Sequence, residues 1–188
     1  MEKAYQQQPF SGRRIVLYGP ESTGKTTLAK ALAAHYNTVW VPEYARPYLQ
    51  EKWECDQTVC TLEDLPRIVH GQLAAENALV AQARRFLFCD TNALVTQVWS
   101  QTHFEGYCAP EILRAVQQLQ YDYYFLTNID VPWEKDDLRD RPNHRPEMLA
   151  AFQEALTQEQ QPFTLLKGSP EARLQQAVTI LESVFTKS

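Results

Sequence analysis

The chain has 188 residues, of which 44% are hydrophobic and 22% charged, with a formal net charge of −5. That size and balance predict one globular domain with a full core. The lack of any basic block argues against a nucleic-acid partner, and no apolar run has the length of a membrane span.

Residues 1–12 are polar and rich in Gln, without the hydrophobic centre of a signal peptide. They read as a flexible N-terminal tail before a single domain over 13–188. Arg13–Tyr18 is a short apolar β-type run. It leads into Gly19-Pro20-Glu21-Ser22-Thr23-Gly24-Lys25-Thr26-Thr27, which fits G-x-x-x-x-G-K-[ST] at every position. Strong helix formers from Leu28 to Ala34 follow, so the glycine loop lies between a strand and a helix, as a phosphate-binding loop requires. Its glycines let backbone N–H groups close on a triphosphate, and the helix N-terminus adds a positive dipole end. Lys25 is expected to reach the β- and γ-phosphates of ATP, and the Thr26 hydroxyl to ligate Mg²⁺.

The helix runs to about Tyr36, and Thr38–Val41 reads as the second strand, ended by Pro42. Glu43-Tyr44-Ala45-Arg46-Pro47-Tyr48 then lies just past a strand's C-terminal end, where open α/β sheets bind ligands. Glu43 can accept a proton or a hydroxyl hydrogen bond, and Arg46 can pair a phosphate or Glu43 itself. Tyr44 and Tyr48 offer flat faces. Glu51–Cys60 reads as irregular and polar. After a cap at Thr61, apolar residues recur at helical spacing from Leu62 to Ala83, predicting one long amphipathic helix that carries His70 and Gln72. Gln72 is a candidate partner for a substrate amide or hydroxyl.

Arg85–Asp90 is an apolar strand ending in an acid, the form of a Walker B element, with Asp90 placed to hold Mg²⁺ beside the phosphate loop. Short helices over Asn92–Ser100, with Trp99, and Pro110–Leu119 lead to a fourth strand, Tyr123–Thr127. Residues from about 130 to 146 are dense in arginine and aspartate and read as a lid. Its Arg139, Arg141 and Arg145 are the candidates to offset charge on a migrating phosphoryl group. A helix over Met148–Leu156, a fifth strand over Pro162–Leu166 and a last helix from Pro170 complete the chain. The turn at Lys167–Arg173 is where fold analogy puts adenine. The cysteines Cys55, Cys60, Cys89 and Cys108 form no C-x-x-C pair and read as free thiols in a cytoplasmic protein.

Strands alternate with helices throughout. This predicts an α/β P-loop NTPase fold of the small-kinase type, a five-stranded parallel sheet with helices on both faces and an Arg-rich lid. The tip of the fourth strand, Thr127-Asn128-Ile129-Asp130, lacks the lysine of a guanine-reading Asn-Lys-x-Asp, which favours ATP over GTP.

The ordered set Gly-Pro-Glu-Ser-Thr-Gly-Lys-Thr-Thr at 19–27, Pro-Glu-Tyr-Ala-Arg at 42–46, Gly-Gln at 71–72, Phe-Cys-Asp-Thr at 88–91, Asp-Val-Pro-Trp at 130–133 and Asp-Leu-Arg at 137–139 resembles the ribosylnicotinamide kinase domain of NadR-type proteins. The resemblance covers roughly residues 13–185. It implies transfer of phosphate from ATP to the ribose 5′-hydroxyl of nicotinamide riboside, giving nicotinamide mononucleotide. It also implies that Glu43, Tyr44 and Arg46 lie at the nucleoside side, Asp90 at the metal and Arg139 in the lid. Asn92 departs from the family, which often has a second Asp there.

The partner expected is thus a small-molecule nucleoside, with no nucleic acid and no membrane. Lys25 and the lid arginines would stabilise the transferred group, and either Asp90 or Glu43 would take the hydroxyl proton. Trp99 can stack on the cationic nicotinamide ring. A kinase for another nucleoside, and an ATP-dependent switch without an acceptor, are the competing readings.

Overall fold

The computed structural model describes residues 5–134, 138 and 142–186. β1, Arg13–Tyr18, is buried at every position after Arg13, as a central strand covered on both faces must be. β2 (Trp40–Val41), β3 (Phe86–Asp90), β4 (Tyr123–Thr127) and β5 (Phe163–Leu166) join it in the order β2-β3-β1-β4-β5. Every neighbouring pair is parallel, with Ile15 opposite Phe88 on one side and Tyr123 on the other. The five-stranded parallel sheet expected from the sequence is therefore present, and all strands end at one edge.

Seven α-helices are described: α1 (Lys25–His35), α2 (Ala45–Asp56), α3 (Asp64–Leu79), α4 (Ala93–His103), α5 (Pro110–Gln118), α6 (Arg145–Gln158) and α7 (Pro170–Val184). Period-2 alternation along β1 sorts them. Ile15 and Leu17 pack with Leu28 and Leu32 of α1 and Ala177 and Leu181 of α7. Val16 and Tyr18 pack with Leu94 and Val98 of α4 and Phe152 and Leu156 of α6. A further apolar cluster joins α3, α4 and α5 through Leu65, Ile68, Leu73, Ala93 and Ile112.

Three regions differ from the sequence expectation. The second strand is shorter, only Trp40–Val41. The stretch expected to be irregular from Glu51 is helical to Asp56. No residue of α2 is fully buried, so it carries no apolar stripe to read; Ala45, Tyr48 and Leu49 hold it against the α3 cluster. The N-terminal segment, expected as a flexible tail, is seated from Tyr5 onward. Tyr5 stacks on His70 at 4.6 Å, the Gln7 amide donates to Glu76 Oε1 at 2.9 Å, and Asn77 bonds the backbone of Gln6 and Gln8. Its glutamines, read as marks of solvation, satisfy polar groups of α3 instead.

Candidate active site

The loop after β1 bends over the N-terminus of α1. Gly19 has φ +134° and abuts the tip of β4, where a Cβ would lie 2.9 Å from Thr127 Oγ1. Gly24, at φ +82°, is the cap residue of α1. Thr23 is fully buried, and its hydroxyl serves the loop itself, lying 2.7 Å from Pro20 O and 2.6 Å from Thr127 Oγ1. Arg173 of α7 braces the same loop from behind. It donates to Thr23 O, to Asn128 O at 3.0 Å and to the Asp130 carboxylate, and Asp130 in turn accepts from Gly168 N at 2.7 Å.

Lys25 curls back so that Nζ donates to Pro20 O at 2.7 Å. Burial lowers its pKa, against the opposing charges of Glu43 and Asp90. Thr26 Oγ1 donates to Asp90 Oδ2 at 2.5 Å. Asp90 closes β3 next to this helix start and is buried. Burial pushes its carboxyl up to about 6, with Lys25 pulling the other way and Glu43 adding to the rise. Its Oδ1 is buried without a hydrogen-bond partner. A carboxylate oxygen left unmatched beside a threonine hydroxyl and a phosphate loop fits a hard cation. Among the described residues there is no cluster of three or more His, Cys, Asp or Glu that could hold a metal ion.

A cavity of about 520 Å³ opens from this loop. Residues 19–27 line it, together with Glu43, Arg46, Leu49, Leu65, Trp99 and His103. The Trp99 and His103 rings stack at 4.0 Å, tilted by 12°. Val131, Pro132, Glu134, Arg145 and Arg173 border the loop end. Trp133 Nε1 donates to Glu21 Oε1 at 3.2 Å, Glu134 N to Ser22 Oγ at 2.9 Å, and Arg145 to Ser22 O at 3.2 Å and Val131 O at 2.9 Å.

The structure thus brings Gly19 to Thr27, Glu43, Arg46, Trp99 and Arg145 around one cavity. Tyr44 and Gln72 do not line it. Gln72 is buried against the backbone of residues 42–44, accepting from Tyr44 N at 2.8 Å and donating to Pro42 O at 3.2 Å. Tyr44 lies over Gly71 and stacks on Tyr48 at 5.9 Å. Asn92 caps α4 and donates to Tyr124 OH at 2.9 Å, a structural use that needs no second carboxylate. Arg139 and Arg141 lie outside the described residues. His103, which the sequence did not single out, and Arg173, named only as the end of the turn assigned to adenine, also line the cavity. Arg173 sits one turn before Ala177 and two before Leu181, the buried face of α7, and an arginine on such a stripe is the signal that marks it.

A family model described as an AAA domain matches residues 14–173. The chain is 30% identical over 132 residues to the trifunctional NAD biosynthesis/regulator protein NadR of Escherichia coli (strain K12), covering 70% of this chain and 32% of that protein. It spans about a third of the length of the curated relatives it matches. A solved structure of NadR in complex with NR superposes with a TM-score of 0.78 at 22% identity, over 94% of this chain and 52% of that one. Thymidylate kinase from Ehrlichia chaffeensis superposes with a TM-score of 0.66 at 14% identity, over 92% of this chain and all of that one (100%). These likenesses give the P-loop kinase fold. The AAA match takes in the phosphate loop, both walls of the cavity and Arg173, and on it the chain belongs to the AAA-domain family, with sequence similar to NadR over 70% of its length.

Proposed function

We propose that this protein is an ATP-dependent kinase that phosphorylates the ribose 5′-hydroxyl of nicotinamide riboside. One observation carries the reading. A single cavity is lined by residues 19–27 together with a carboxylate, a guanidinium and an indole, those of Glu43, Arg46 and Trp99, and Glu43 is close enough to act on the charge of Lys25, so donor and acceptor would meet near Lys25. Similarity to NadR, whose solved complexes contain NR in one case and NAD with AMP-PNP in another, supports the choice of substrates.

The 5′-oxygen attacks the γ-phosphorus of ATP in line as the bond to the β,γ-bridging oxygen breaks, and ADP leaves. Little covalent chemistry falls to the protein; positioning and charge compensation dominate. Lys25 leaves Pro20 O for the β- and γ-phosphates, and Arg145, already at the loop, adds positive charge at the same end. The hydroxyl proton goes to Glu43, which lines the cavity, whereas Asp90 lies beneath it bonded to Thr26. Thr26 and Asp90 would hold Mg²⁺, which when bound neutralises charge on the β- and γ-oxygens. Trp99 and Arg46 border the acceptor end, where an indole face suits a flat cationic ring.

The test is ADP release with Mg·ATP and nicotinamide riboside, adenosine, uridine, thymidine or no acceptor. Strong stimulation by nicotinamide riboside alone is expected. A response only to another nucleoside would discard the substrate, and silence with every acceptor despite ATP binding would discard the kinase.

A further inference from the structure

We propose that Gln72, seated by Gly71, is a positioning residue for phosphoryl transfer that acts through Glu43; this rests on the acceptor-side role of Glu43 given above. The geometry is a bracket. The Gln72 amide accepts from the N–H of Tyr44 and donates to the carbonyl of Pro42. It holds the backbone immediately before and after Glu43 and does not itself line the cavity. An amide is needed for this, since one end must donate and the other accept.

Gly71 makes the approach possible. A glycine inside a helix costs about 1 kcal/mol relative to alanine, and its backbone here has no positive φ that would require one. The reason lies across the gap: a Cβ at Gly71 would come within 2.2 Å of the Tyr44 ring. Tyr44 therefore rests on bare helix backbone, and the 42–44 segment sits close enough for the Gln72 side chain to span it. The platform is rigid. Leu65, Ile68, Val69 and Leu73 of α3 are buried, and one turn beyond Gln72 the Glu76 carboxylate takes Arg14 Nε of β1 at 2.7 Å. The loop that carries Glu43 is thus referenced through α3 to the strand that carries the phosphate loop. Glu43 and the loop over residues 19–27 are registered against each other by side chains that do not line the cavity.

The experiment is a double-mutant cycle read as kcat and KM with the nucleoside that the acceptor panel identifies. Gln72→Met keeps length and removes both bonds. It is expected to lower kcat about 10- to 100-fold, the scale of a displacement of about 1 Å at a reacting group, with KM for ATP unchanged and the thermal midpoint confirming a folded protein. Gln72→Met in a Glu43→Gln background should cost no further kcat, because the effect passes through Glu43. Gly71→Ala should mimic Gln72→Met, and Tyr44→Ala should relieve it by removing the clash. Independent, multiplicative losses, or a rise in nucleoside KM with kcat intact, would overturn the positioning role while leaving the kinase reading standing. A wild-type protein inert with every nucleoside would overturn both.

Discussion

Asp90 is 1% exposed, and its Oδ1 meets no donor. Burial disfavours the charge of this acid and pushes its pKa up to about 6, with Lys25 pulling the other way. The sign follows from linkage. A carboxyl whose folded pKa exceeds its unfolded value near 4 holds its proton more tightly when folded, so its contribution to stability falls between about pH 4 and 6 and stays unfavourable above that. Asp90→Asn is therefore expected to stabilise the ligand-free protein by about 1–2 kcal/mol at pH 7.5. The same change should reduce Mg²⁺-dependent turnover on the order of 10²-fold or more. Thermal melts of both proteins without nucleotide check the first part, and a lower midpoint for the variant would refute it. The placement of Lys25 and Asp90 beside residues 19–27 was legible because one is tied to a motif spacing and the other to a strand tip. Gln72 was legible as a helical residue and a candidate substrate partner, but not as the bracket on residues 42–44. Its bond to Tyr44 joins residues 28 apart in sequence, and no local pattern records that.

At the scale of elements, the junction of α2 and α3 is held by one acid. Asp64 accepts from Lys52 Nζ at 2.5 Å, Tyr48 OH at 2.8 Å, Thr61 N at 2.7 Å and Thr61 Oγ1 at 2.9 Å. Burial alone would raise its pKa, but these donors outweigh it and hold the carboxyl at about 2. Here the sign is reversed. A depressed folded pKa gives stability that is complete above the unfolded value near 4 and is lost as pH falls through about 2. Asp64→Asn is expected to cost about 2 kcal/mol in urea unfolding at pH 7, with the gap between the two proteins narrowing from pH 4 downward. A gap that is constant with pH would show that the ionic form contributes nothing. This junction also explains what was hidden in the sequence. The strands stood out as continuous apolar runs, and α3 by its stripe. α2 is partly exposed along its length, and its register comes from bonds such as Tyr48–Asp64 and Lys52–Asp64, made 16 and 12 residues away.

Over the whole molecule, some of the buried polar atoms without partners lie on or next to the loop over residues 19–27. Among the described residues they include Asp90 Oδ1, Arg145 Nε and Arg173 Nε, while Lys25 is half-buried and desolvation lowers its pKa. An unmatched buried polar group costs about 1–3 kcal/mol, so a nucleotide that met these groups would offset part of that cost. This gives a prediction in stability rather than in rate. A ligand that binds only the folded state stabilises it by about 2.7 kcal/mol at one hundred times its dissociation constant, which for a domain of this size moves the thermal midpoint by roughly 5–10 °C. Mg·ATP at saturation is expected to produce a shift of that order, and ATP with excess chelator a smaller one, because Thr26 and Asp90 then lose their ion. Lys25→Ala should abolish most of the shift while leaving the ligand-free midpoint within a few degrees of wild type, since it removes a charge the fold buries at a cost. Differential scanning fluorimetry across an ATP titration decides the matter. A wild-type midpoint that ignores millimolar Mg·ATP, or a Lys25→Ala protein that responds as wild type does, would mean that the loop over residues 19–27 does not bind the triphosphate.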